Sequence, residues 1–192
     1  MSVPVCLVTG VGPDTGTGAE IARRFASGGY RVAMLARDAA RLSVLERSIP
    51  GSRAFPCDVS DLDLLVSTIE RVSSEMGAPQ VVVHNALRSV RGSFLELDPA
   101  DLEKNFRVNT TALAYLARAT IPAMLKAGHG AIMVTGNTSA TRGKAHWGYF
   151  ASTRQRSAFW PSQLRVNTGP REFMLPTSLS MRRLTRPALD RS

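Results

Sequence analysis

The sequence predicts an α/β protein built on a doubly wound parallel sheet, with three layers in the order α, β, α. Three observations predict it. Short runs rich in Val, Ile or Leu recur between Val3 and Val134, amphipathic stretches separate them, and a glycine-rich turn joins the first run to the first such stretch. Strands that alternate with long helices imply parallel βαβ units, and right-handed crossovers put the helices on both faces of the sheet.

Residues 3–8, 31–36, 53–56, 81–84 and 131–134 are the expected strands. Between them, residues 19–27, 38–48, 61–76 and 99–127 have helical character. In the last stretch Leu102, Phe106, Val108, Leu113, Leu116, Ala117 and Ile121 recur mostly three or four apart, the spacing of one helix face. Asp98 suits the N-cap, Pro99 the first helical position, and Gly128 follows the last turn. After Thr153 the pattern stops: residues 154–192 contain four prolines, eight Arg and no Lys, with no sustained period. The chain therefore divides into an ordered domain over residues 1–153 and an irregular Arg- and Pro-rich tail over 154–192.

At 192 residues and 44% apolar content the chain suits one globular domain, and 20% charged residues is too few for a disordered class. No run approaches the roughly eighteen apolar residues of a membrane span, so no membrane partner is expected. The net charge of +9 suggests an acidic partner until it is located. Eight of the 24 Lys and Arg lie in the tail against two acids, Glu172 and Asp190, so the tail carries +6 and residues 1–153 only +3. The tail has neither interleaved aromatics nor a basic helical period, and nucleic acid is not an expected partner. Cys6 and Cys57 are too few for a disulfide framework and lack metal-ligand spacing. With no secretory leader before the first strand, a reduced cytoplasmic protein without a metal site is expected.

The segment 8–18 carries Gly10, Gly12, Gly16 and Gly18 at the junction of the first strand and first helix. Glycines there let the backbone turn tightly and let a phosphate approach the helix N-terminus, where free N–H groups favour an anion. At that junction the pattern points to a dinucleotide.

Thr9-Gly10 followed by Gly16-Thr17-Gly18, the Cys57-Asp58-Val59 and His84-Asn85-Ala86-Leu87 segments, and Asp101-Leu102, Phe106 and Val108-Asn109 together resemble the short-chain dehydrogenase/reductase family over residues 3–153. The glycine turn is about two residues longer than the family's, and Leu87 replaces a Gly. The resemblance implies a Rossmann-type sheet and hydride transfer between a nicotinamide cofactor and the carbonyl or alcohol carbon of a small molecule. It places Thr9, Gly10, Gly12, Gly16, Gly18, Arg37, Asp58, Val59, Asn85 and Ala86 at the cofactor. Arg37 stands where the family usually has an acid for the NAD ribose, so NADP is expected ahead of NAD. His84 reads as a strand-end residue rather than a catalytic one.

The same resemblance implies a catalytic Asn109, Ser139 and Tyr149. In the family a Lys four residues after the Tyr lowers the hydroxyl's pKa, and a tyrosine near its free value of about 10 is a poor base without it. Here two registers are open. Ser139 and Tyr149 leave Thr153 in the Lys position; Ala140 and Phe150 leave Arg154 there. Either predicts impaired turnover, with a non-catalytic dinucleotide-binding protein as the alternative.

Reverse translation of residues 154–185 with free synonymous choice, shifted by one base after Thr153, permits a Lys directly after Thr153, then an amphipathic helix, a Gly-Pro-x-Gly turn and an apolar strand. The single-codon residues Trp160, Met174 and Met181 fit this frame. The tail is therefore expected to be an out-of-frame reading, and the fold to be missing the family's C-terminal strands. The open edge at the fifth strand favours aggregation. Homo-oligomers in the family pair the long helix with the one after the Tyr, and alteration of that second helix argues against such assembly.

Overall fold

The computed structural model describes residues 3–136 together with His146, Tyr149, Ser152 and Thr153. Five strands, β1 (Val5–Thr9), β2 (Arg31–Ala36), β3 (Ser52–Pro56), β4 (Val81–His84) and β5 (Ala131–Val134), form one parallel sheet in the order β3-β2-β1-β4-β5. The chain runs outward from β1 to β3 and then returns to lay β4 on the other side of β1. The strand order thus reverses between β1 and β4, the place where open parallel sheets leave a crevice at their C-terminal ends. Thr9 is paired in register with Leu35 on one side and His84 on the other, and His84 with Val134.

Alternation along β1 divides the core into two layers. Val5 and Leu7 join Phe55, Leu65, Ile69, Val82, Leu113, Leu116 and Ile132 on one face. Cys6 and Val8 join Ala19, Ala22, Val32, Met34, Leu42, Leu45 and Ile49 on the other. The first layer is closed by α3 (Leu62–Met76) and α5 (Ala112–Ala127), the second by α1 (Thr17–Ser27) and α2 (Ala39–Ser48). Among the described residues no helix is long and apolar enough to cross a membrane.

The caps explain most helix boundaries. Asp38 accepts from the Arg41 N–H and Asp61 from the Leu64 N–H, each as the N-cap just outside its helix. Asp98 accepts from the Ala100 N–H ahead of α4 (Pro99–Phe106), and Gly128 ends α5 with a φ of 76°, the left-handed conformation glycine adopts without strain. The first strand starts at Val5 rather than residue 3, because its pairing with β2 begins at Val5.

The stretch expected as one helix over 99–127 is two helices joined by a π-helical turn, Arg107–Thr111. The Ala112 N–H bonds the Arg107 carbonyl, five residues back instead of four. One extra residue in a turn offsets the flanking helices by about 100°. Consequently Leu113, Leu116 and Ala117 are buried as expected, but Leu102 and Phe106 are only half-buried and Asn105 and Asn109 occupy the buried line of the earlier turns.

Candidate functional site

A cleft of about 1290 Å³ opens where the strand order reverses. The glycine turn forms one wall, the end of β2 and residues 57–60 a second, and residues 85–89 with Lys104, Arg107 and Val108 the third.

The glycines have different reasons to be there. Gly10 has a φ of 71°, and a Cβ on it would stand 2.5 Å from both the Cα and the N of Ala86. A Cβ on Gly18 would stand 2.5 Å from the Gly10 carbonyl oxygen. Both are demanded by backbone packed on backbone. At Gly12 a Cβ would meet nothing within 4 Å, so that position faces open space at the cleft. Gly16 is the N-cap of α1 and no side chain caps that helix, so its first N–H groups are left for water or an anion. A glycine-rich cradle that ends on a helix N-terminus without a side-chain cap fits a pyrophosphate. The turn folds back on itself just before α1, where the Gly16 N–H donates to the Pro13 carbonyl at 2.8 Å. Arg23 of α1 then holds the carbonyl and the carboxylate of Asp14.

Asn85 ties the cradle to the sheet. Its Nδ2 donates to the Gly10 carbonyl at 2.9 Å, and its Oδ1 accepts from the Thr135 hydroxyl at 3.0 Å. Thr9 is fully buried beneath the cleft and does not line it; its Oγ1 accepts from the Ala86 N–H and bonds His84 Nδ1 at 3.0 Å. Asp58 accepts from both the N–H and the hydroxyl of Ser60, which fixes the second wall, where Val59 is buried. Arg37 is exposed at the tip of β2, and among the described residues its guanidinium makes no ion pair or hydrogen bond. Its neighbour Asp38 instead caps α2 and lies 3.5 Å from Arg41. Arg37, Arg41, Arg88, Lys104 and Arg107 face only Asp38 and Asp58 in the lining, so the cleft is positive overall.

Two thiols are shifted. Burial pushes Cys6 far above its ordinary range, and Cys57 at the cleft wall is raised by burial, with Asp58 and Asp61 acting in the same direction. Both are free.

Of the residues that the resemblance makes catalytic, Asn109 and Tyr149 are described and Ser139 is not. Asn109 is buried in the π-helical turn; its Oδ1 accepts from the Arg88 N–H, and its Nδ2 donates to the Arg88 carbonyl and to the Thr153 hydroxyl, each at 2.9 Å. Tyr149 is 5% exposed, its hydroxyl donates to the Leu97 carbonyl at 3.3 Å, and its ring meets Phe94 edge-on at 5.3 Å. It does not line the cleft. Thr153 is buried and accepts from Thr110 through its carbonyl, at 3.0 Å. Ser139, Ala140, Phe150 and Arg154 lie outside the described residues, as does the tail over 154–192.

Arg88 is the residue that the sequence reading missed. Its guanidinium donates to Asn105 Oδ1 and Asp101 Oδ1, both at 2.8 Å, while Asn109 clamps its backbone. Arg88 is one of two arginines in the segment between β4 and α4, and nothing in the spacing there singles it out.

Comparison with known proteins places this geometry. Residues 4–171 match the family described as short chain dehydrogenase, which reaches further into the tail than the 3–153 read from the sequence. A short chain dehydrogenase of Pseudocercospora fijiensis is 32% identical over 137 residues, covering 68% of this chain and 44% of that protein. D-threitol dehydrogenase of Mycolicibacterium smegmatis is 29% identical, covering 85% of this chain and 67% of that one. The chain thus spans less than half the length of the first of these relatives and two thirds of the second. Among solved structures, a short-chain dehydrogenase from Streptomyces avermitilis superposes with a TM-score of 0.81 at 26% identity, over 88% of this chain and 62% of that one. A metagenomic short-chain oxidoreductase in complex with NADP gives 0.79 at 29% identity, over 85% and 76%.

Proposed function

The chain belongs to the short chain dehydrogenase family, and we propose that its cleft binds NADP(H) in preference to NAD(H), in an oxidoreductase fold whose turnover is impaired. The bound nicotinamide would supply or accept hydride at the carbonyl or alcohol carbon of a small-molecule substrate. The observation that carries the reading is the glycine-rich cradle beside Arg37, which makes no ion pair or hydrogen bond among the described residues. In it, the first N–H groups of α1 bind the pyrophosphate, Arg37 receives the 2′-phosphate, and the wall of Asp58 and Val59 takes the adenine end. Gly10 and Ala86 hold the cradle against β4, and Asn85 keeps the two in register. Relatives support the cofactor class, since the metagenomic oxidoreductase was solved in complex with NADP.

The impairment rests on proton supply. Tyr149 gives its hydroxyl proton to the Leu97 carbonyl, neither residue lining the cleft, and Thr153 brings no cation to the position four residues after it. This arrangement favours the register with Phe150 in the family's Tyr position, and it supports the second reading, a non-catalytic dinucleotide-binding protein. An out-of-frame tail belongs to the same proposal and is read directly from the gene around Thr153. A cytoplasmic setting suits the two free, buried thiols.

Titration with NADPH, followed by NADPH oxidation with a panel of ketones and aldehydes, separates the outcomes. Binding with little or no oxidation is expected. Rapid oxidation refutes the impairment, and no saturable binding refutes the cofactor assignment.

A further inference from the structure

His84 has more to do than end a strand. It is fully buried at the C-terminal end of β4, with both ring nitrogens engaged: Nδ1 lies 3.0 Å from Thr9 Oγ1 and Nε2 lies 3.1 Å from the Val108 carbonyl. A carbonyl can only accept, so Nε2 carries the proton and donates to it. In the neutral ring Nδ1 is then the acceptor, taking the Thr9 hydroxyl proton, while that oxygen accepts from the Ala86 N–H at 3.3 Å. The hydrogen bonds therefore run in one direction, from Ala86 in the cradle through Thr9 and His84 to Val108.

Val108 sits inside the π-helical turn. The Ala112 N–H, which an α-helix would give to the Val108 carbonyl, goes to Arg107 instead. His84 occupies the carbonyl from which that amide has been diverted. Asn109 is the next residue, and the turn sets the direction in which it meets Arg88 and Thr153.

We propose that His84 is a positioning residue: by holding the Val108 carbonyl it keeps the turn in its π form, and through Thr9 it links that turn, and Asn109 with it, to the glycine cradle. The link to cofactor occupancy rests on the cradle binding NADP(H); the hold on the turn does not.

Nuclear magnetic resonance on the full chain without nucleotide tests the hold. The wild type is expected to show His84 with its proton on Nε2 and a through-hydrogen-bond coupling from the Ala112 nitrogen to the Arg107 carbonyl carbon. In His84→Asn, whose shorter side chain can keep Thr9 but not reach Val108, the coupling should move to the Val108 carbonyl, and amide exchange across residues 110–113 should rise about tenfold, as for one lost hydrogen bond. His84→Gln, long enough to donate to Val108, should restore the wild-type pattern. A wild-type proton on Nδ1, or an Ala112 coupling unchanged in His84→Asn, overturns the proposal; the first needs no variant to fold. Adding NADPH tests the link: it should shift the His84 Nδ1 resonance and slow exchange at residues 110–113 in the wild type. NADPH bound without either change overturns the link, whereas absence of NADPH binding refutes the cofactor assignment and leaves the hold on the turn to the nucleotide-free result.

Discussion

Replacing Gly10 by Ala tests how the cradle is built. Its φ of 71° is one term, since the left-handed conformation costs a residue with a Cβ about 1–2 kcal/mol. The new methyl is the other. It would lie 2.5 Å from Ala86 Cα and N and 2.8 Å from the Asn85 carbonyl carbon, all backbone atoms that cannot turn aside. Overpacking of that kind costs roughly 1–3 kcal/mol, so the total is about 2–5 kcal/mol. Two other glycines separate the terms. Gly29 has a φ of 84° with nothing within 4 Å of a Cβ, so Gly29→Ala should show the conformational cost alone. Gly12 has no positive φ and open space, so Gly12→Ala should fall within about 0.5 kcal/mol of the wild type. Urea denaturation of the three variants, compared at constant m, measures all three. If Gly10→Ala costs no more than Gly29→Ala, the close approach of the glycine turn to Ala86 is not what holds the cradle.

Other consequences follow from single groups. Tyr149→Phe removes a hydroxyl whose partner is the Leu97 carbonyl, so it should cost about 0.5–1.5 kcal/mol in urea denaturation. Loss of more than tenfold in any carbonyl reduction would instead put that hydroxyl at the reacting atoms. Burial raises both thiols above their ordinary 9.0, so at higher pH the unfolded chain releases protons that the folded chain keeps. The folded state therefore loses ground as pH rises above 9, and no such effect is expected below it, where both states are protonated. Denaturation at pH 8 and pH 10 should show the fall, and Cys6→Ala should flatten it; an equal fall in that variant contradicts the assignment to Cys6.

The sequence made the parallel sheet and the Asp98 cap readable because those features are local, whereas the pattern counts Asp38 and Asp61 as the first residues of their helices rather than as caps. Asp38, Asp61 and Asp98 each stand one residue before a helix and bond an N–H two or three positions on. The junction of Gly10 to Gly18 was likewise legible, since strand, turn and helix are consecutive. The π-helical turn was not, because nothing in Arg107-Val108-Asn109-Thr110-Thr111 announces it: the carbonyl it diverts is taken by His84, 24 residues earlier. Arg88 is similar, its partners Asp101 and Asn105 being 13 and 17 residues away on another element. For Tyr149 two registers one residue apart are open in the sequence, and the Lys that the shifted frame puts directly after Thr153 favours Phe150 over Tyr149 in the family's Tyr position. Thr9 was assigned to the cofactor by resemblance, yet it lies one layer below, where it supports Ala86.

Parallel fluorescence titrations of the wild type and Arg37→Ala with NADPH and with NADH test the central claim most directly. Arg37 is exposed at the cleft and makes no ion pair among the described residues, so it is available to a 2′-phosphate. A charge-assisted hydrogen bond contributes about 1.5–3 kcal/mol, so NADPH should bind roughly ten- to a hundredfold more tightly than NADH, and Arg37→Ala should abolish most of that difference while leaving NADH affinity nearly unchanged. Equal affinity of the wild type for the two nucleotides, or an Arg37→Ala loss shared equally between them, would contradict it.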